Sequence, residues 1–384
     1  MRKKIVSLIF TFVAAILIAA ISQVKTAHAL VSCKLNDFRN DTLQLAPGNI
    51  SAGTDLPLGS VIYRATWNDP NNNQHISCTT DNPSGEVATV ALVLGIESAP
   101  LPLSAWQGSP YAGKVYTTNI PGIGIAVWYS GNAATATSPV ITRSNLSLNI
   151  PAGGLNYAAR APFDISLVKI GNTPPGSYII NGTTLPTAKI YFDNLSNVSG
   201  LPVTTRTISF TGSLNVTAPT CTTPDVNVNL GKHDIDATFK NLSSTSPWME
   251  FSLQLVNCPV FQGYYPGTNN VILQTTGGGQ TIPSPTSNKV GVKFSPQTEI
   301  VNPSQGLFRI TKESTSAEGV AIQLAKVNQG NKEPINFLSE YQYDITPSNG
   351  STFTIPLAAR YMRTDTVIKP GLANGKVIFT INYY

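Results

Sequence analysis

Charge is scarce in this chain. Only 12% of its 384 residues are Asp, Glu, Lys or Arg, and histidine appears three times. No dense Lys/Arg cluster interleaved with aromatics occurs, so a nucleic-acid surface is not expected. No stretch sustains a 3.6-residue apolar period, which argues against long amphipathic helices. Catalytic signatures are missing as well: there is no H-E-x-x-H, no Walker loop and no G-x-S-x-G. The glycine run 276–280 is a turn with nothing helical after it, not a phosphate cradle. With no C-x₂-C spacing and so few histidines, neither a metal nor a cofactor is expected. What the chain has in quantity is Gly (30) and Pro (28) among abundant Thr, Ser, Asn and Val. That composition reads as an all-β, turn-rich protein, long enough for two domains.

The N-terminus reads as a removable export signal. Arg2, Lys3 and Lys4 precede an apolar run from Ile5 to Ile21, and Ala27-His28-Ala29 offers a cleavage site. Residues 1–29 are therefore assigned to a signal peptide, with the mature chain starting at Leu30 and holding no membrane span. The segment carries four of the basic residues and no acid; taking those four from the formal net charge of +5 leaves +1. The basicity belongs to export.

The four cysteines, Cys33, Cys78, Cys221 and Cys258, fall as one pair in each half. In an exported chain an even count favours disulfides. Three pairings are possible. The sequential one, Cys33–Cys78 with Cys221–Cys258, gives each half its own staple.

Short strand candidates recur between turn signals. In the first half they are 60–67, 75–79, 87–94, 123–129, 144–150, 163–170, 187–192 and, as the closing strand, 205–210. Spacing of this kind suggests a sandwich or barrel. Residues 30–212 are read as one domain able to fold alone. A Pro-containing linker over 213–220 follows, with Pro219 enforcing extension. The second domain, 221–384, opens with alternating Val226, Val228 and Leu230. It continues through 249–258, 271–273, 289–294, 307–311, 319–324 and 352–361.

The chain ends in the middle of a strand. Val377, Phe379, Ile381 and Tyr383 share one face, which must be buried, while Ile378, Thr380, Asn382 and Tyr384 share the other. No turn or partner strand follows, so an edge row of N–H and C=O groups is left to pair with another chain.

These features together resemble the pilin domain of chaperone–usher fimbriae. The carriers are Cys221 with Val228-Asn-Leu-Gly231, Phe251 to Cys258, Glu318 to Leu324, Ile355 to Tyr361, and the end with its penultimate Tyr383. The first half, with Lys114 to Gly124, Thr54 to Ile62, Cys33 and Cys78, is similar to type 3 fimbrial adhesins. The resemblance implies an N-terminal β-sandwich adhesin domain followed by an incomplete immunoglobulin-like pilin domain. It also implies that a periplasmic chaperone, and then an adjacent fimbrial subunit, lends the missing strand along Val377, Phe379, Ile381 and Tyr383. By the same resemblance an outer-membrane usher is expected to assemble the fibre, and the protein is expected at the fimbrial tip on the cell surface. A shaft subunit of that family carries a short donor extension where this chain has a whole domain, so the arrangement resembles a two-domain tip adhesin.

The implied receptor is a host glycan or matrix protein. Aromatic rings suit sugar faces, so Trp106, Trp128, Tyr129 and Trp67 are the receptor candidates. Trp128 is out of phase with Ile123, Ile125 and Val127 and points away from the core; Trp106 sits in a loop-like stretch, 103–108. Two readings compete. A terminal aromatic after alternating residues also marks outer-membrane β-barrels. Asp164 and Asp193 are carboxylates that a secreted carbohydrate-active enzyme could use.

Overall fold

The computed structural model describes residues 31–68, 74–196, 198–274, 279–346 and 349–384. The expected signal peptide, most of the Asn-rich loop and most of the glycine turn lie outside the described residues. The described chain is nearly all β; its one α-helical turn is Ile235–Thr238.

Two sheets of the first half face each other across the larger core. One orders Val140–Ile150, Glu86–Ser98, Thr187–Ser196, Val203–Thr211 and Arg39–Gln44. The other carries Val61–Trp67, Phe163–Lys169 and Ile123–Tyr129 side by side. Alternation sends Tyr63, Ala65 and Trp67, with Phe163, Ile165 and Leu167, into this core. Arg64, Thr66, Asp164, Ser166 and Trp128 take the opposite face. Disulfides join Cys33 to Cys78 and Cys221 to Cys258, as the sequential pairing expects, and no cysteine is free.

Two expectations are corrected at the boundary between the halves. Residues 213–218, read as linker, form the strand Ser213–Ala218 between Gly176–Asn181 and Asn49–Ser51. Leu214, Val216 and Ala218 are buried, so apolar alternation outweighs the turn-forming polar residues between them. Residues 205–210 are thus not the closing strand. The run Val271–Leu273 is a strand, but it pairs in parallel with Val61–Trp67 and buries Val271 and Leu273 in the first half's core.

The halves are stitched further around Tyr265 and Asn288. Tyr265 N–H donates to Ile62 O at 3.1 Å, and Arg64 N–H to Tyr265 O at 2.8 Å. Asn288 is fully buried; its Nδ2 donates to Ser51 O and Tyr384 O, and its Oδ1 accepts from Gly263 N–H.

The second half is a smaller sandwich with its own core. One sheet orders Met249–Leu255, Phe353–Arg363, Val320–Asn328, Leu307–Arg309 and Ile300–Asn302. The other has three strands: Tyr341–Ile345, Asn288–Pro296 in the middle, and the terminal strand Val377–Tyr383 at the edge. Residues 226–230, whose alternation opens this half, form no ladder, although Val226 and Leu230 pack on the core.

Candidate functional sites: an open strand edge and an aromatic cluster

The terminal strand is antiparallel to Asn288–Pro296, from Tyr383 opposite Val290 to Val377 opposite Pro296. Its other edge has no ladder partner among the described residues. Beside that edge lies a cleft of about 420 Å³. Val377 and Phe379 form one wall, Val226 and Leu230 another, and Phe251, Phe294, Phe308 and Ile322 line it as well. Burial therefore departs from the expectation of a wholly covered apolar face. Tyr383 is 5% exposed and stacks on Phe261 at 6.0 Å between ring centroids. Val377, Phe379 and Ile381 are only half-buried. Among the described residues no neighbouring strand covers them. Tyr383 also anchors the start of the half, since its Oη accepts from Cys221 N–H at 2.9 Å. Burial pushes its phenol above the ordinary tyrosine range.

On the first half, the outward face of the central strands gathers the second cluster. Trp128 is 9% exposed, its Nε1 donates to Ser166 Oγ at 2.9 Å, and Arg64 stacks over its ring at 4.7 Å. Arg64 Nε donates to Asp164 Oδ1 at 3.0 Å, and Thr66 Oγ1 donates to the same oxygen. Tyr111 covers Trp128 at 5.5 Å between centroids, held at φ 63°, an uncommon conformation for a bulky residue. Its phenol is pushed up to about 12, chiefly by burial. Trp106 is half-buried beside this cluster, with Nε1 donating to Pro110 O at 2.9 Å. From the second half, Gly267 O accepts from Arg64 Nη1, and Asn270 Nδ2 donates to Thr66 Oγ1 at 2.7 Å.

The receptor candidates therefore separate. Trp106 and Trp128 come together in one cluster. Tyr129 is half-buried against the main core. Trp67 is 1% exposed, tilted against Phe163 and stacked by Arg206, so it meets no receptor; the in-phase position that made it a strand residue put it inside. Arg64, Tyr111 and Ser166 were missed by sequence reasoning. Arg64 and Ser166 sit on the polar phase of strands that were recognised, which is the signal that could have found them. Asp164 and Asp193 lie in different sheets, with Asp164 held by Arg64.

Two family models match. Residues 208–384 match the model described as fimbrial protein, and residues 43–184 match the MrkD-like receptor binding domain. Among curated proteins, a fimbria adhesin protein of Klebsiella pneumoniae is 23% identical over 373 residues, covering 93% of this chain and 95% of that one. Among solved structures, the CupB6 tip adhesin from Pseudomonas aeruginosa aligns at TM-score 0.34 and 14% identity, over 91% of this chain and 93% of that one. A CsuC–CsuE chaperone–tip adhesion subunit complex from Acinetobacter baumannii aligns at TM-score 0.23 and 12% identity, over 91% and 99%.

Proposed function

We propose that the chain is a two-domain fimbrial tip adhesin whose second domain is completed by a strand from another protein while its first domain holds a host receptor. The carrying observation is the outer edge of the terminal strand, without a ladder partner along Val377, Phe379 and Ile381, beside an apolar cleft. An edge without a partner, flanked by half-buried Val377, Phe379 and Ile381, fits an extended segment with alternating apolar side chains. In this reading a periplasmic chaperone fills the cleft first, an adjacent fimbrial subunit replaces it at the usher, and the protein ends at the fimbrial tip on the cell surface. The role is binding, without catalysis.

For the first domain we assign the receptor contact, a host glycan or matrix protein, to the surface around Trp106. That ring is half-exposed and packs with Tyr111 on the cluster of Trp128, over which Arg64 stacks, which combines stacking area with a donor. Trp128 supports the ring cluster from beneath.

Phe379→Asp tests the assembly half. A carboxylate placed in the cleft opposes an apolar donor residue. In cells expressing the whole chaperone–usher system, the variant is expected to lose chaperone co-purification and surface display. Wild-type display would contradict the reading. For the receptor, Trp106→Ala on fimbriated cells is expected to lower binding on a glycan and matrix-protein array; unchanged binding would move the site elsewhere.

A further inference from the structure

The open edge of the terminal strand is not open along its whole length. Tyr384 and Lys289 exchange both backbone hydrogen bonds, and Gln297 N–H donates to Lys376 O. Bonded pairs alternate along an antiparallel ladder. The N–H and C=O groups of Val377, Phe379, Ile381 and Tyr383 therefore point away from Asn288–Pro296. At Tyr383 these outward groups are already used. Asp55 N–H donates to Tyr383 O at 2.9 Å, and Tyr383 N–H donates to Asp55 Oδ2 at 2.8 Å.

Asp55 belongs to the first domain, and its segment is held in place from three directions. Gly53 is buried against the strand end, where a Cβ would lie 2.2 Å from Tyr383 O, so only glycine permits the approach. Buried Lys169 donates from Nζ to Gly53 O at 3.3 Å and to Thr54 O. Thr54 Oγ1 donates to Asp55 Oδ2 at 3.0 Å.

We infer that residues 53–55 form a stop in cis: the first domain occupies the last rung of the open edge, and an incoming strand pairs with Val377, Phe379 and Ile381 and ends against Asp55. This rests on the donor-strand reading of the cleft and sets its register. The partner it fits is an extended segment with alternating apolar side chains beside those three residues. Its residue next to Asp55 is neutral or basic, because a carboxylate there would face Asp55 across adjoining rungs. A donor that runs past Tyr383 has to break the contact between the domains.

Hydrogen exchange at single amides of the full mature chain tests the stop and the donor reading separately. The probe is a synthetic peptide of alternating isoleucine and threonine. Without it, the Tyr383 amide is expected to exchange slowly, and those of Val377, Phe379 and Ile381 quickly. With it, those three slow and Tyr383 stays as it was. Asp55→Ala is expected to speed Tyr383 exchange about tenfold or more, and Asp55→Asn, which keeps an acceptor, to retain most of the protection. Circular dichroism of each variant confirms that the fold persists. A fast Tyr383 amide in the unaltered chain would overturn the stop. So would protection that is independent of residue 55, or that becomes so once the peptide binds. If Val377, Phe379 and Ile381 never gain protection, the donor reading fails even where Tyr383 depends on Asp55.

Discussion

Two tryptophans show how one residue type takes opposite roles. Trp67 fills the first core against Phe163, and Trp67→Ala is expected to cost about 3–5 kcal/mol. Trp106 sits half-exposed, so Trp106→Ala should cost under about 1 kcal/mol of stability while reducing receptor binding. Chemical denaturation of both variants separates them; equal losses would contradict the assignment. Asn288 is the polar rivet between the domains. Asn288→Ala takes the donor from Ser51 O and the acceptor from Gly263 N–H, while Tyr384 O keeps Lys289 N–H, and about 1–3 kcal/mol is the expected loss in the same assay. Tyr111 gives a pH signature. Its folded-state value of about 12 lies above the ordinary 10.0, so the protonated phenol favours the folded state. That contribution is whole below about pH 10 and is lost as the pH rises toward 12. Ultraviolet titration should find Tyr111 among the late-ionising phenols and should lose that late component in Tyr111→Phe.

At the scale of strands, the boundary correction carries its own prediction. A fragment ending at residue 212 lacks Ser213–Ala218 and leaves Gly176–Asn181 and Asn49–Ser51 without the strand between them. It is expected to be poorly soluble after periplasmic export, and extension to residue 220 should improve it. Equal yields from both fragments would contradict the assignment of that strand. Most strands were legible because period-two alternation is local: 61–67, 123–129 and 163–169 lie where their apolar phase placed them. The failures have physical causes. Val271–Leu273 is three apolar residues, enough to mark a strand but silent about which sheet receives it. Residues 226–230 alternate yet form no ladder, because alternation reports burial of a face and not pairing of an edge. Trp128 does point away from the main core, as its phase implied. What covers it, Tyr111, comes from a loop outside any strand, which no period reveals.

Over the whole molecule, two sandwiches differ in completeness. The first is closed by its own strands and by Val271–Leu273 borrowed from the second. The second keeps an apolar cleft beside its last strand. The domains share hydrogen bonds at Ser51, Asp55, Ile62 and Arg64, so the contact between them is more than a tether. The central claim is that the second domain lacks one strand, and thermal unfolding of the full mature chain tests it most directly. The chain is to be measured alone and with a peptide of alternating apolar residues in excess. Each apolar side chain seated in the cleft contributes about 1.5–3 kcal/mol. Three of them are expected to raise the second domain's midpoint by about 10 °C or more, and Phe379→Asp should abolish the rise. An unchanged midpoint, at a high temperature with or without the peptide, would show that the fold is already complete and would contradict the account.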